Sequence, residues 1–204
     1  MDVNRAVDEL LPEWTELAMP TTPRGAAGLG VIPTMISEKL AIYKSPLPKD
    51  VLTGRIEQLY RPYHKALKTL LDAAQNQAGQ ALLLDCHSMP GVSTSGRPRH
   101  DIILGDRFGA SAAPELVALT EQVFTDAGYR VARNYPYAGG YVTSTYGQPH
   151  NGVSVIQIEV NRNIYMNPVS FKLTAGFKRL QACFMDLAAE LRAHMRSSVQ
   201  RAAE

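Results

Sequence analysis

The sequence lacks several features that would assign it at once to a functional class. It contains two cysteines, Cys86 and Cys183, and no closely spaced cysteine pair, which disfavours both a thiolate zinc site and a disulfide scaffold. No apolar run approaches the roughly 20 residues of a membrane-spanning helix, and the N-terminus has no apolar signal core. We therefore expect a cytoplasmic protein without a membrane partner.

An excess of charge of one sign is also missing. The 21 lysines and arginines nearly balance the 19 aspartates and glutamates. They are dispersed, whereas a nucleic-acid-binding protein needs a basic stripe. The pair Gly139–Gly140 is too short for a nucleotide-binding glycine pattern. A hydrophobic fraction of 45% and a length of 204 residues are typical of one globular domain over residues 1–204.

Hydrophobic patterning predicts an α/β fold. Residues 1–48 are rich in proline and are expected to be mostly loop. Apolar residues at helical spacing predict helices over about 50–77, 111–127 and 169–196, with Pro62 dividing or kinking the first. Short apolar runs predict strands at 81–85, 129–133 and 153–160, with loops at 88–111 and 134–152. Strands that alternate with helices indicate a mixed, largely parallel sheet, so residues 50–204 should form an α/β core.

Two polar segments follow or end predicted strands, where α/β proteins bind ligands. In the first, His87 is either a metal ligand or a hydrogen-bonded structural residue, and Asp85 is either its partner or the cap of a turn. In the second, Glu159 is either a general base that activates water or a buried carboxylate paired with Arg162.

Planar donors suited to a carboxylate occur twice, as Asn4–Arg5 and as Asn161–Arg162. Each pair taken alone also suits ordinary loop structure. Arg107 lies in a turn, where it either pairs with Asp106 or is directed at an anion.

Two further residues are noted for their surroundings. Tyr141 is a candidate because it follows the Gly-Gly loop. Cys86 is expected to be a packed, inert thiol, because it lies at the end of an apolar strand.

Seven segments resemble the N-formylglutamate amidohydrolase family and occur in the family's order. They are Asp-Val-Asn-Arg (2–5), Ala-Gly-Leu-Gly-Val-Ile-Pro (27–33), Tyr-Arg-Pro-Tyr-His (60–64), Leu-Leu-Asp-Cys-His-Ser-Met (83–89), Asp-Ile-Ile-Leu-Gly-Asp-Arg-Phe-Gly (101–109), Asn-Tyr-Pro-Tyr-Ala-Gly-Gly-Tyr-Val-Thr (134–143) and Gln-Ile-Glu-Val-Asn-Arg-Asn-Ile-Tyr-Met (157–166). Each is weak alone, but together they form a specific signal that covers nearly the whole chain.

The resemblance implies a three-layer sandwich, a mixed sheet between helix layers similar to the zinc carboxypeptidases. It implies a zinc cofactor with His87 as one ligand and Glu159 as the residue that activates the zinc-bound water. Asn4 and Arg5 resemble the pair that grips the substrate carboxylate. The remaining candidates for substrate binding lie in family segments: Arg107, Tyr141, Asn161 and Arg162.

The sequence departs from the family at the expected metal site. The family places its first two ligands, a histidine and a glutamate, upstream of the Asp-Val-Asn-Arg segment, which begins here at residue 2, and no His-x-x-Glu occurs in the chain. A catalytic zinc needs three protein ligands. We therefore expect the chain to be N-terminally incomplete relative to the family.

Three functions remain open from the sequence. The first is a hydrolase of histidine degradation that cleaves the linear amide of N-formyl-L-glutamate or a similar N-acyl amino acid. The second is a non-catalytic, metal-free carboxylate-binding relative or truncated fragment. The third is a peptidase of the carboxypeptidase type, which the fold alone would allow. The expected partner is a small-molecule N-acyl amino acid substrate, with no nucleic acid or membrane, and the oligomeric state is left open.

Overall fold

A computed structural model describes residues 32–37, 40–92 and 96–202 of the chain. The chain divides into two compact units, Met1–Thr69 and Leu70–Glu204. Compactness does not decide whether one unit folds without the other, so a single domain over residues 1–204 stays a prediction.

The first unit contains a small hairpin and the start of a divided helix. Strands β1 (Met35–Ser37) and β2 (Leu40–Ala41) pair antiparallel. Helix α1 (Lys49–Arg55) passes through a π-helical turn, Ile56–Tyr60, into α2 (Arg61–Ala78).

The predicted division of this helix is confirmed and has a local cause. Pro62 has no N–H to donate to a carbonyl one turn earlier. The wider π turn lies directly before it, and the Arg61 N–H donates to the Ile56 carbonyl, five residues back.

The second unit contains the larger sheet and its helices. Its elements, in chain order, are β3 (Ala81–Met89), β4 (Ile102–Gly105), α3 (Pro114–Asp126), β5 (Val131–Arg133), α4 (Tyr141–Tyr146), β6 (Val153–Asn161) and α5 (Gly176–Ala202). Two short 3-10 segments, Pro149–Asn151 and Arg162–Ile164, flank β6. Among the described residues, no helix is both long enough and apolar enough to cross a membrane.

The strand order in the larger sheet is β3-β6-β4-β5. The pairs β3–β6 and β4–β5 are parallel, and β4 runs antiparallel to β6. An α/β fold with a mixed, largely parallel sheet is therefore confirmed. Strand β6 lies between two partners and is buried along its whole length.

The two faces of this sheet differ in chemistry because side chains alternate along a strand. One face is apolar and packs under α3 and α5, in a core that includes Leu104, Ile156, Ile158, Phe124 and Leu187. The opposite face of β6 carries Gln157, Glu159 and Asn161, all buried. These three polar residues of β6 therefore lie on the face of the sheet opposite α3 and α5.

Candidate active site

Four polar side chains form a compact group on the face of the sheet opposite α3 and α5. The register of β3 and β6 sets Asp85 beside Gln157 and His87 beside Glu159. Neighbouring strands lie about 4.8 Å apart, so the four side chains are adjacent. We call Asp85, His87, Gln157 and Glu159 the polar quartet. The structure therefore brings together the predicted metal ligand and the predicted general base.

Asp85 is the partner of His87 and does not cap a turn. Its Oδ1 lies 3.0 Å from His87 Nε2, and the histidine side chain is 49% exposed. Strand β3 continues to Met89, so no turn begins at Asp85. A carboxylate on one ring nitrogen fixes the orientation and tautomer of an imidazole.

Glu159 is buried to 7% exposure and accepts a hydrogen bond from its own strand. Gln157, 5% exposed, donates from Nε2 to Glu159 Oε1 over 2.8 Å. On the other side, Ile103 of β4 lies opposite Glu159. A buried carboxylate is costly unless hydrogen bonds compensate for the lost water, and Gln157 supplies one such bond.

A loop of residues 138–140 lies against the quartet because glycines let it approach. A Cβ on Gly105 would lie 2.8 Å from Ala138 C and Gly139 N, and one on Gly140 would lie 3.3 Å from Gln157 Oε1. Tyr141 follows directly and begins α4. The predicted Tyr141 therefore directly follows the loop that approaches Gln157.

Arg107 is held next to the same loop by an unusual backbone. Arg107 and Phe108 have φ of +52° and +57°, which is uncommon for residues with a side chain. Asn134 Oδ1 accepts from the N–H groups of Asp106 (3.1 Å) and Phe108 (3.3 Å), and its Nδ2 donates to Asp106 Oδ1 over 2.6 Å. The Arg107 N–H donates to the Ala138 carbonyl over 2.7 Å. These bonds fix the backbone from which the guanidinium extends.

Asn161 and Arg162 are engaged with the protein. Asn161 donates from Nδ2 to the His100 carbonyl over 3.2 Å, and its Oδ1 accepts from the Asn163 N–H over 3.0 Å. Arg162 donates to the Ser88 carbonyl over 3.4 Å. Their role in substrate binding stays a prediction. Asn4 and Arg5 lie outside the described residues.

The sequence predicted a packed thiol at Cys86, but the structure places Cys86 at the surface. Partial burial of the sulfur, and after it the charge of Asp85, raises the pKa of this thiol above its usual value. A raised pKa disfavours the reactive thiolate, so the expected inert character still fits.

Two residues of the site were not singled out from the sequence. Gln157 carried a usable signal, because it stands two positions before Glu159 on one strand and therefore shares its face. Asn134 carried none, because its bonds reach residues 26 and 28 positions earlier in the chain.

The donor set does not match a three-ligand zinc centre. Among the described residues, no group of three or more His, Cys, Asp and Glu side chains is placed to hold a metal ion. His87 and its partner Asp85 supply one imidazole and one oriented carboxylate. The zinc implied by the resemblance therefore lacks a complete protein site in the part of the chain that the structure describes.

Comparison with known proteins places the site in context. A sequence model of the N-formylglutamate amidohydrolase family matches residues 1–166. The chain belongs to the N-formylglutamate amidohydrolase family. The N-formylglutamate deformylase of Pseudomonas putida is 34% identical over 147 residues, which are 69% of this chain and 54% of that protein. The enzyme of the same name from Pseudomonas aeruginosa is 34% identical over 117 residues, which are 55% of this chain and 43% of that protein. The chain thus spans about half the length of these curated relatives.

Two solved structures have a fold similar to that of this chain. The crystal structure of N-formylglutamate amidohydrolase from Ralstonia eutropha JMP134 has a TM-score of 0.78 and 33% identity, covering 89% of this chain and 65% of that one. A gene product of Agrobacterium tumefaciens has a TM-score of 0.56 at 20% identity, covering 83% of this chain and 63% of that one. The second likeness concerns the fold alone. This chain therefore shares its fold with two proteins whose chains are longer than the part that it matches.

Proposed function

We propose that this chain hydrolyses the linear amide of N-formyl-L-glutamate, or of a similar N-acyl amino acid. The products are formate, or the corresponding acid, and the free amino acid. The observation that carries the proposal is the adjacent placement of Glu159 and His87 on one sheet face, in a chain that belongs to the amidohydrolase family.

Glu159 is the group we assign to proton transfer. Its carboxylate takes a proton from a water molecule as the water oxygen bonds to the acyl carbon, and then delivers that proton to the amide nitrogen as the C–N bond breaks. The register places this buried carboxylate between His87 of β3 and Ile103 of β4. Water is consumed and no other reactant is needed.

Arg107 is the group we assign to the substrate's negative charge. The guanidinium presents planar donors that match a carboxylate better than a lysine ammonium does. Its backbone is fixed by Asn134 and by the Ala138 carbonyl. A dicarboxylate such as N-formyl-L-glutamate suits such a cation.

Replacing Glu159 by Gln tests the proposal. Glu159→Gln keeps the shape of the side chain but removes the base, so formate release from N-formyl-L-glutamate should fall about 10²–10⁴-fold while the melting temperature changes little. Lys178→Gln, an exposed change on α5, is the control and should keep wild-type turnover. Turnover retained in Glu159→Gln would contradict the assignment.

Zinc stays a prediction of the family resemblance, and elemental analysis of the chelator-free protein tests it. The residues that the structure describes provide one imidazole at the site, so a tightly bound zinc needs further ligands from outside them. Close to one zinc per chain would support the prediction and would mean that such ligands complete the centre, whereas a folded chain without zinc would contradict it.

A second candidate function is suggested by the same incomplete donor set: a metal-free relative that binds carboxylates without turnover. It predicts that L-glutamate raises the melting temperature in a concentration-dependent way, as mass action requires, while zinc does not. Formate release by the wild-type chain would exclude it.

We also propose a cytoplasmic location. Cys86 and Cys183 are both free thiols, and reduced cysteines are typical of proteins in that compartment.

A further inference from the structure

We infer that Gln157 is a positioning residue whose carboxamide fixes the direction of the Glu159 carboxylate. The inference rests on the proposed function of Glu159 and adds a group that acts through it. The two side chains lie on one face of β6, both more than 90% buried, and are joined by a 2.8 Å bond from Nε2 to Oε1.

The carboxamide is itself enclosed on several sides. In the register of the sheet, Asp85 of β3 lies on one side of Gln157 and Gly105 of β4 lies on the other. Gly105 places no side chain there, and the 138–140 loop occupies that space. Gly140 comes so close that a Cβ there would lie 3.3 Å from Gln157 Oε1. Gln157 therefore has little freedom to turn.

The chemistry of the pair gives Gln157 its role. A carboxamide N–H donates to the charged form of a carboxylate and does not itself gain or lose a proton at neutral pH. A bond to Oε1 stops rotation about the end of the glutamate side chain and sets the position of Oε2. A base that is held in place avoids the loss of alignment that a small displacement brings.

An alternative role for Gln157 is structural: it would only satisfy a buried polar group. The two roles differ in their effect on kinetics. Loss of a structural bond lowers stability, whereas loss of a positioning bond lowers kcat with KM nearly unchanged, because the effect is exerted in the transition state.

Two substitutions separate these roles in formate-release kinetics with N-formyl-L-glutamate. Gln157→Met keeps the length and removes the donor; Gln157→Glu keeps the shape and replaces the donor with a like charge. Both should lower kcat by up to about 100-fold, the size of loss that a displacement of about 1 Å at a reacting group brings, with KM within about twofold. Wild-type kcat in either variant would overturn the inference.

Ser154→Ala is the matched control. Ser154 is also a buried polar residue of β6, and its Oγ accepts from the Ala113 N–H over 3.0 Å, away from the quartet. The control should lose stability without losing kcat. An equal loss of kcat in Ser154→Ala would show that removing any buried polar side chain from β6 lowers kcat, and would overturn the inference.

A second measurement separates failure of this inference from failure of the proposed function. In the ¹H–¹⁵N spectrum, the side-chain amide protons of Gln157 should move upfield and exchange faster in Glu159→Gln, while those of Asn134 stay in place. If the wild-type chain released no formate, the proposed function would fail, and this shift would still decide whether Gln157 holds Glu159. An unchanged Gln157 amide signal would overturn the inference even in an active protein.

Discussion

His64 lies in the first turn of α2, between two tyrosine rings. Its ring centroid is 4.3 Å from that of Tyr60 and 5.1 Å from that of Tyr63, and the residue is buried. Burial disfavours the imidazolium and lowers the pKa of His64 below its usual 6.5. At pH values below 6.5 the unfolded chain therefore binds a proton more readily than the folded chain does.

This residue gives a prediction about acid stability. Because the unfolded state binds more protons in this window, the free energy of unfolding should fall as the pH drops below about 6.5. His64→Gln, which is neutral throughout, should lose less stability than the wild type between pH 7.5 and 5.5. Urea denaturation at the two pH values measures this, and equal losses in the two proteins would contradict it.

At the residue scale, the sequence identified two residues that the structure brings together, but it did not predict their contacts. His87 and Glu159 were identified from their positions at strands and from the family resemblance, and the register places them side by side. Whether Asp85 is the partner of His87 or the cap of a turn could be decided only once the length of β3 was known. The bonds of Asn134 to a loop about 28 residues earlier depend on tertiary structure that no local pattern encodes.

Short elements were the ones that local patterns missed. Strand β4 has four residues and α4 has six, too few for a period to be recognised, and both lay within segments predicted as loop. Long periodic elements were predicted with the usual error at their ends. For α5 the predicted start at about residue 169 was early, since the helix begins at Gly176.

The loop of residues 138–140 depends on glycine at one position in particular. Gly139 has φ of +134°, and a Cβ there would lie 2.5 Å from Thr143 Oγ1 and 2.8 Å from Arg107 Cγ. Gly109 also has a positive φ, +87°, but a Cβ there meets nothing within 4 Å. Alanine at either position would therefore strain the backbone, but only alanine at 139 would also clash with neighbouring side chains.

Comparing alanine at these two positions tests how the loop is held. Gly109→Ala should cost about 1–3 kcal/mol from backbone strain. Gly139→Ala should cost more and should also raise KM for N-formyl-L-glutamate, because it displaces Arg107. Urea denaturation and formate-release kinetics measure the two effects. An unaltered KM in Gly139→Ala would contradict the proposed role of Arg107.

On the scale of the whole second unit, stability is concentrated between the sheet and α5. Leu187 is fully buried in that core, whereas Met185, two residues earlier, is 69% exposed. Leu187→Ala should lower the free energy of unfolding by about 2–5 kcal/mol, through lost burial and the cavity left behind. Met185→Ala, the control, should change it by less than about 1 kcal/mol. Urea denaturation of both variants is the measurement, and equal effects would contradict this location of the core.

The fold class followed from the sequence because alternating strands and helices restrict the sheet to a few arrangements. The strand order could not be predicted from the sequence. The antiparallel contact of β4 with β6 depends on β4, which was not recognised, and on packing between segments more than 45 residues apart.

The central position of β6 has a consequence for how the chain folds. Strands β3 and β4 both need β6 as a neighbour, yet β6 is the last strand of this sheet to leave the ribosome. Strands β4 and β5 pair across a separation of about 30 residues, whereas β3 and its partner β6 are about 70 residues apart. Contacts between residues so far apart in the sequence form slowly. Until then, the unpaired edges of β3 and β4 are open to association with other chains. The quartet is also assembled in that last step, so a nascent chain has no complete site before β6 is inserted.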